Sequence, residues 1–121
     1  MTIKEEVQKA MGAHGLWKVR LKDAITSGKS EFKVSTVCQD NQCAFGQWLY
    51  GLNVRMQGLK RWQCVKQAHA DFHREAGRVL ELALAGKKDA ANAAMTGPTS
   101  SFEKASTKLV MELVSWKNEC E

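Results

Sequence analysis

Proline is almost missing: the 121-residue chain has one. Proline-poor chains suit long helices better than many short strands and turns. No apolar run approaches the roughly 20 residues of a membrane span. The N-terminal stretch MTIKEEVQKAMG carries charges where a secretory leader needs an apolar core. The expectation is a soluble, cytoplasmic chain without membrane insertion. No CxxCH occurs, which excludes covalent haem attachment. No HExxH occurs either, because Ala70 follows His69. Asp71 projects roughly 200° around a helix from His69, so a zinc-dependent hydrolase lacks its general base. Histidine is scarce as well. Three His are too few for a di-iron bundle with bridging carboxylates.

What is present is an ordinary globular balance, 44% hydrophobic and 26% charged. The length suits one domain over residues 1–121. Eighteen basic against thirteen acidic residues leave +5. Lys60–Arg61 and Lys87–Lys88 are adjacent pairs, but no basic block develops, so no nucleic-acid partner is expected. Four Cys without a secretory context point to free, metal-bound or redox-active thiols rather than disulfides.

Apolar periodicity outlines the helices. Ile3, Val7, Ala10, His14, Trp17, Leu21 and Ala24 recur at steps of four and three, the seam of an amphipathic helix. Gly12 and Gly15 weaken it locally, and Gly28 is a plausible C-cap. Lys29 to Gln39 reads as a connection with at most a helical turn. Asp40 is expected to cap a short helix from about Asn41 to Tyr50, with Cys43 in its first turn. A long helix is predicted from about Met56 to Ala85. Its seam is Leu59, Trp62, Val65, His69, Phe72, Ala76, Val79 and Ala83. A short Ala-rich helix follows from Lys88 to Met95, and Gly97–Pro98 breaks it. Ser100 to Glu103 matches a capping box. It opens a last helix with Phe102, Leu109, Leu113 and Trp116 inward. The fold class expected is all-α: an antiparallel four-helix bundle with an additional short helix carrying Cys43.

All three His fall on inward faces. One buried His is ordinarily a satisfied core residue, but three of three strain that reading, since unpartnered imidazoles are costly to bury. His69 and His73 stand one turn apart, a spacing that suits two ligands to one tetrahedral ion. His14, on another seam, is the candidate third. The fourth must be a Cys. Cys64 is roughly 140° around the helix from His69, and Cys120 lies at a frayed end. Cys43 is favoured because free N–H groups at a helix start support a thiolate; Cys38 in the preceding loop is the competitor. The site so read is His14, Cys43, His69 and His73. A metal-free bundle that serves as a protein-interaction module is the alternative.

The segments AHGLW around His14, CAFGQWLYG from Cys43, and HADFH from His69 to His73 resemble the bacterial chemoreceptor zinc-binding domain. The separations, 29 residues from His14 to Cys43 and 26 from Cys43 to His69, look similar to that family's. Gly86, Phe102 and Ser106 also look alike. The resemblance implies a Zn²⁺ cofactor in a closed His3Cys site with a sensory rather than catalytic role. It further implies a homodimer, and output through a signalling partner or fused signalling domain in chemotaxis or cyclic-di-GMP pathways. Either zinc occupancy or oxidation of Cys43 would be the signal. Trp17, Phe45 and Trp48 are expected to pack in the core around the site.

Overall fold

The computed structural model describes residues 2–97 and 100–120, and all regular secondary structure among them is helical. The elements are α1 (Ile3–Ser27), α2 (Val34–Val37), α3 (Ala44–Tyr50), α4 (Val54–Gln57), α5 (Lys60–Leu84), α6 (Lys88–Met95) and α7 (Ser101–Glu119). The expected break at Pro98 lies outside the described residues.

Helix α1 opens on a reciprocal capping box. The Thr2 hydroxyl accepts from the Glu5 N–H and the Glu5 carboxylate accepts from the Thr2 N–H. It ends where Gly28 turns left-handed at φ 72°, a conformation costly for any residue with a Cβ. Gly12 and Gly15 do not interrupt it. Its buried face is Val7, Ala10, His14, Trp17, Leu21, Ala24 and Ile25, the face the periodicity marks.

Helix α5 is central and touches α1, α2, α4, α6 and α7. Its buried face is therefore wider than one seam: His73 is inward as expected, and Ala68, Gly77 and Leu80 are added. It also starts later than expected. The Asn53 side chain caps the separate turn α4 by accepting from the Met56 N–H. The backbone is extended at Leu59, the N-cap of α5. Leu59 is accordingly 49% exposed rather than in the seam.

Paired residues give the helix directions. Lys117 donates to Gln8 and Lys18 pairs with Glu103, so α7 runs antiparallel to α1. Arg61 bridges Glu112 and Glu119 while Phe72 packs on Phe102, so α7 is also antiparallel to α5. Helices α1 and α5 therefore run in the same direction, and the stretch 28–59 with its three short helices returns the chain between them. The frame is three long helices, with the eight-residue α6 beside α5, α7 and α1. Phe72, Phe102, Leu21, Leu109 and Leu113 are fully buried between the long helices. Each stabilises the fold by about 1.5–3 kcal/mol relative to exposure.

At the start of α7 only half of the expected capping box forms. The Ser100 hydroxyl accepts from the Glu103 N–H, but the Ser100 N–H donates to the Gly97 carbonyl. The Ser100 hydroxyl also donates to the Ala94 carbonyl at 2.6 Å, tying α6 to α7.

Candidate metal centre

Three elements deliver four donor side chains to one point. His14 comes from the middle of α1. His69 and His73 project from one face of α5. Cys43 stands at the N-terminus of α3, as its N-cap rather than within its first turn. The Cys43 sulfur accepts from the Gly46 N–H at 3.3 Å, which displaces Asp40 from the expected capping role. Asp40 instead accepts from the Tyr50 hydroxyl, and burial together with that carboxylate pushes the Tyr50 phenol up to about 12. The turn before α3 lies so close that a Cβ on Gly46 would sit 1.8 Å from the Asp40 carbonyl oxygen. Glycine three residues after Cys43 is thus a steric requirement of the turn that presents the thiol.

The four donor atoms converge. His14 Nε2 lies 3.0 Å from His69 Nε2 and 3.2 Å from His73 Nε2. Cys43 Sγ lies 3.3 Å from His69 Nε2 and 3.9 Å from His14 Nε2. One ligand atom from each of the four residues falls within 4.8 Å of all the others. A tetrahedral zinc with bonds of ~2.0–2.1 Å to nitrogen and ~2.3 Å to sulfur spaces its ligands by about 3.3–3.6 Å. The donor set and its spacing fit that ion.

Hydrogen bonds behind the rings decide which nitrogen is free. The His14 Nδ1–H donates to the Ala10 carbonyl at 2.7 Å. The His73 Nδ1–H donates to the Val37 carbonyl at 3.0 Å. Each carbonyl can only accept, so the proton of each neutral ring is on Nδ1 and its Nε2 carries a lone pair. Two lone-pair nitrogens therefore face each other at 3.2 Å with no proton to join them. A hydrogen bond does not explain that contact; the two lone pairs are placed where they could hold a cation. His69 Nδ1 is buried and has no hydrogen-bond partner among the described residues.

The local electrostatics keep the imidazoles neutral. Burial holds His14 down at about 4 and His69 at about 2, with the neighbouring imidazoles adding to the effect. Burial also lowers His73, opposed by its bond to the Val37 carbonyl. The Cys43 thiol moves the other way. Burial raises it above its ordinary value, against the lowering influence of the Gly46 and Phe45 N–H groups. The helix start does favour a thiolate, as the sequence implied, but desolvation is the larger effect. A cation held by the cluster would supply the further stabilisation a thiolate needs there.

Aromatic edges close most of the site. Phe45 meets His69 edge-on at 5.1 Å between centroids, and Phe72 meets His14 at 5.2 Å. Trp48 packs one layer further out, on Phe45 and Trp116. Trp17 lines a cleft of about 590 Å³ that reaches His14, Cys43 and His73 from the surface. Arg20 lies over both Trp17 and Phe32 at its wall. Cys43 is half-buried, the least enclosed of the four. Cys38, Cys64 and Cys120 are free thiols outside the cluster. The Ala10 and Val37 carbonyls escaped the sequence reading, as did the contact of Phe72 with His14. Phe72 sits between the two His of HADFH and was legible as core. The carbonyls leave no trace in residue type.

The fold and the four converging donors define a helical domain with a candidate His3Cys metal centre. The chain belongs to the chemoreceptor zinc-binding domain family, which matches residues 14–80, more than half of the chain. All four cluster residues lie inside the match; α6 and α7 lie beyond it. No curated protein and no solved structure matches the chain. No helix among the described residues is long and apolar enough to cross a membrane.

Proposed function

We propose that the domain binds one Zn²⁺ through His14, His69 and His73 Nε2 and Cys43 Sγ, and that the state of this centre is a regulatory signal. The observation that carries the reading is the pair of lone-pair nitrogens on His14 and His73 facing each other beside His69 and Cys43. Family membership supports zinc over other cations, as does a donor set of three neutral imidazoles and a thiol. Four protein ligands leave no coordination position open for substrate, which favours sensing over hydrolysis.

Two inputs suit the geometry. Zinc occupancy ties α1, α3 and α5 together, so metal binding is coupled to their packing. Oxidation of Cys43 is the second. Oxidation of the thiolate by hypochlorous acid transfers oxygen to sulfur and releases chloride, giving a sulfenic acid that is a weaker donor. The cleft gives such an oxidant a path to the sulfur. Output passes through a cytoplasmic signalling partner or fused domain of a chemotaxis or cyclic-di-GMP pathway. We read α6 as the short fourth member of a four-helix bundle. The chain acts as a homodimer, for which exposed Leu16 and Val19 on α1 and Val110, Met111 and Val114 on α7 offer apolar surface.

Elemental analysis of protein purified without chelator, before and after mild hypochlorite, tests this reading. It predicts close to one zinc per chain, released by the oxidant. Protein free of zinc after such purification, and unable to take it up, would contradict it.

A further inference from the structure

We propose that Gly77 is a positioning residue of the centre: by lacking a side chain it lets α2 lie against α5 and hold the ring of His73. Gly77 stands one turn beyond His73, on the face of α5 that also carries His69. It is buried in a helix interior, where glycine costs about 1 kcal/mol relative to alanine. Gly12 and Gly15 of α1 have open space where a Cβ would go. Gly77 does not. A Cβ there would lie 2.8 Å from the Cys38 Cβ and 3.2 Å from the Cys38 Cα. Both are backbone or backbone-attached atoms, with no flexible side-chain end to yield.

Cys38 is the C-cap of α2, and the residue before it is Val37. The Val37 carbonyl is the acceptor for the His73 Nδ1–H at 3.0 Å. The close approach at Gly77 and the hydrogen bond at His73 therefore belong to one contact between α2 and α5. A side chain at position 77 pushes Cys38 outward and takes the Val37 carbonyl with it. His73 then loses the partner that fixes its tautomer and aims Nε2 at the other donors. Such outer partners tune ligand basicity and orientation. Cys38 acquires a role here through its small Cβ and its backbone, while its exposed sulfur donates to the Ser35 carbonyl.

This inference rests on the zinc reading above, and the test separates the two. Zinc affinity is measured by chelator competition for wild type, Gly77→Ala, Cys38→Gly and the double variant, with Gly12→Ala as a control helix glycine. The protonation and environment of His73 Nδ1 are followed by nitrogen-15 NMR of the imidazoles, with and without zinc. Gly77→Ala is expected to lower affinity by about 10–100-fold and to shift the His73 Nδ1 resonance. Gly12→Ala should do neither. Cys38→Gly in the Gly77→Ala background removes the 2.8 Å contact and should restore most of the affinity and the resonance. Circular dichroism of each variant reports folding, and the rescue keeps the test decisive if Gly77→Ala folds poorly. Wild-type affinity and an unchanged His73 resonance in Gly77→Ala would overturn the proposal, as would failure of Cys38→Gly to rescue. If wild type binds no zinc, the zinc reading fails, and the His73 resonance of the zinc-free proteins still decides the role of Gly77.

Discussion

His14 and His73 bring their Nε2 atoms to 3.2 Å across the interface of α1 and α5, while the Nδ1 atom of each donates to a main-chain carbonyl. The contact sets two lone pairs against each other, and a cation held by both is the economical explanation. If so, each donor should be worth a measurable share of metal affinity. An apparent binding energy of about 10–16 kcal/mol for structural zinc, shared by four ligands, assigns each about 3 kcal/mol, roughly a hundredfold in affinity. Cys43→Ala and His69→Ala are expected to weaken zinc binding by that order in a competition titration. Cys64→Ala, outside the cluster, should leave it unchanged.

Proton release offers an independent check. Burial keeps all three imidazoles below their ordinary range, so near neutral pH they have no proton to lose. The Cys43 thiol is held above its ordinary value and retains its proton until metal arrives. Zinc binding at pH 7 should then release about one proton per site, because the ligand sulfur must be deprotonated. Calorimetry in buffers of different ionisation enthalpy measures the number. Release of three or four protons would mean the imidazoles begin charged.

The same shifts set the acid sensitivity of the zinc-free fold. An unfolded His takes up a proton near 6.5, whereas folded His14 resists until about 4 and folded His69 until about 2. Between those values the unfolded state binds more protons, so stability falls as pH falls. It is fully present above pH 6.5 and is lost progressively from there down to about 4 for His14, and further down for His69. Each such His contributes a slope of about 1.4 kcal/mol per pH unit inside its window. Urea unfolding of chelated protein at pH 7.5 and pH 5 is expected to show the loss. His69→Gln should flatten the dependence.

Gly46→Ala is expected to disrupt the centre without adding charge or polarity. The new Cβ would meet the Asp40 carbonyl oxygen at 1.8 Å, so the turn at 40–43 must move and carry Cys43 with it. Overpacking of this kind costs about 1–3 kcal/mol. Zinc affinity should fall along with melting temperature. An unchanged melting temperature would show that the turn has more freedom than the packing implies.

Much of this site was legible in residue type and spacing. His14 sits in a three–four seam, His69 and His73 share a helical face, and the helix start near Cys43 is marked by small and polar residues. Those signals depend on local periodicity, which the packing of α1 and α5 preserves. Local signals failed where tertiary contact decided the outcome. Asp40 looked like a cap, but the chain reverses there against Gly46 and leaves the capping to the Cys43 sulfur. Leu59 fitted the seam, but the extended backbone after Gly58 takes it out of the core. The carbonyls of Ala10 and Val37 carry no residue signature, since any residue supplies one. Gly77 had no legible purpose until α2 was seen lying against it.

The most direct test of the central claim is the zinc K-edge X-ray absorption spectrum of the purified protein, wild type against Cys43→Ala. The account predicts one sulfur scatterer near ~2.3 Å and three imidazole nitrogens near ~2.0–2.1 Å in wild type, with the sulfur shell gone in Cys43→Ala. A wild-type spectrum without sulfur, or a sulfur shell that survives Cys43→Ala, would contradict it.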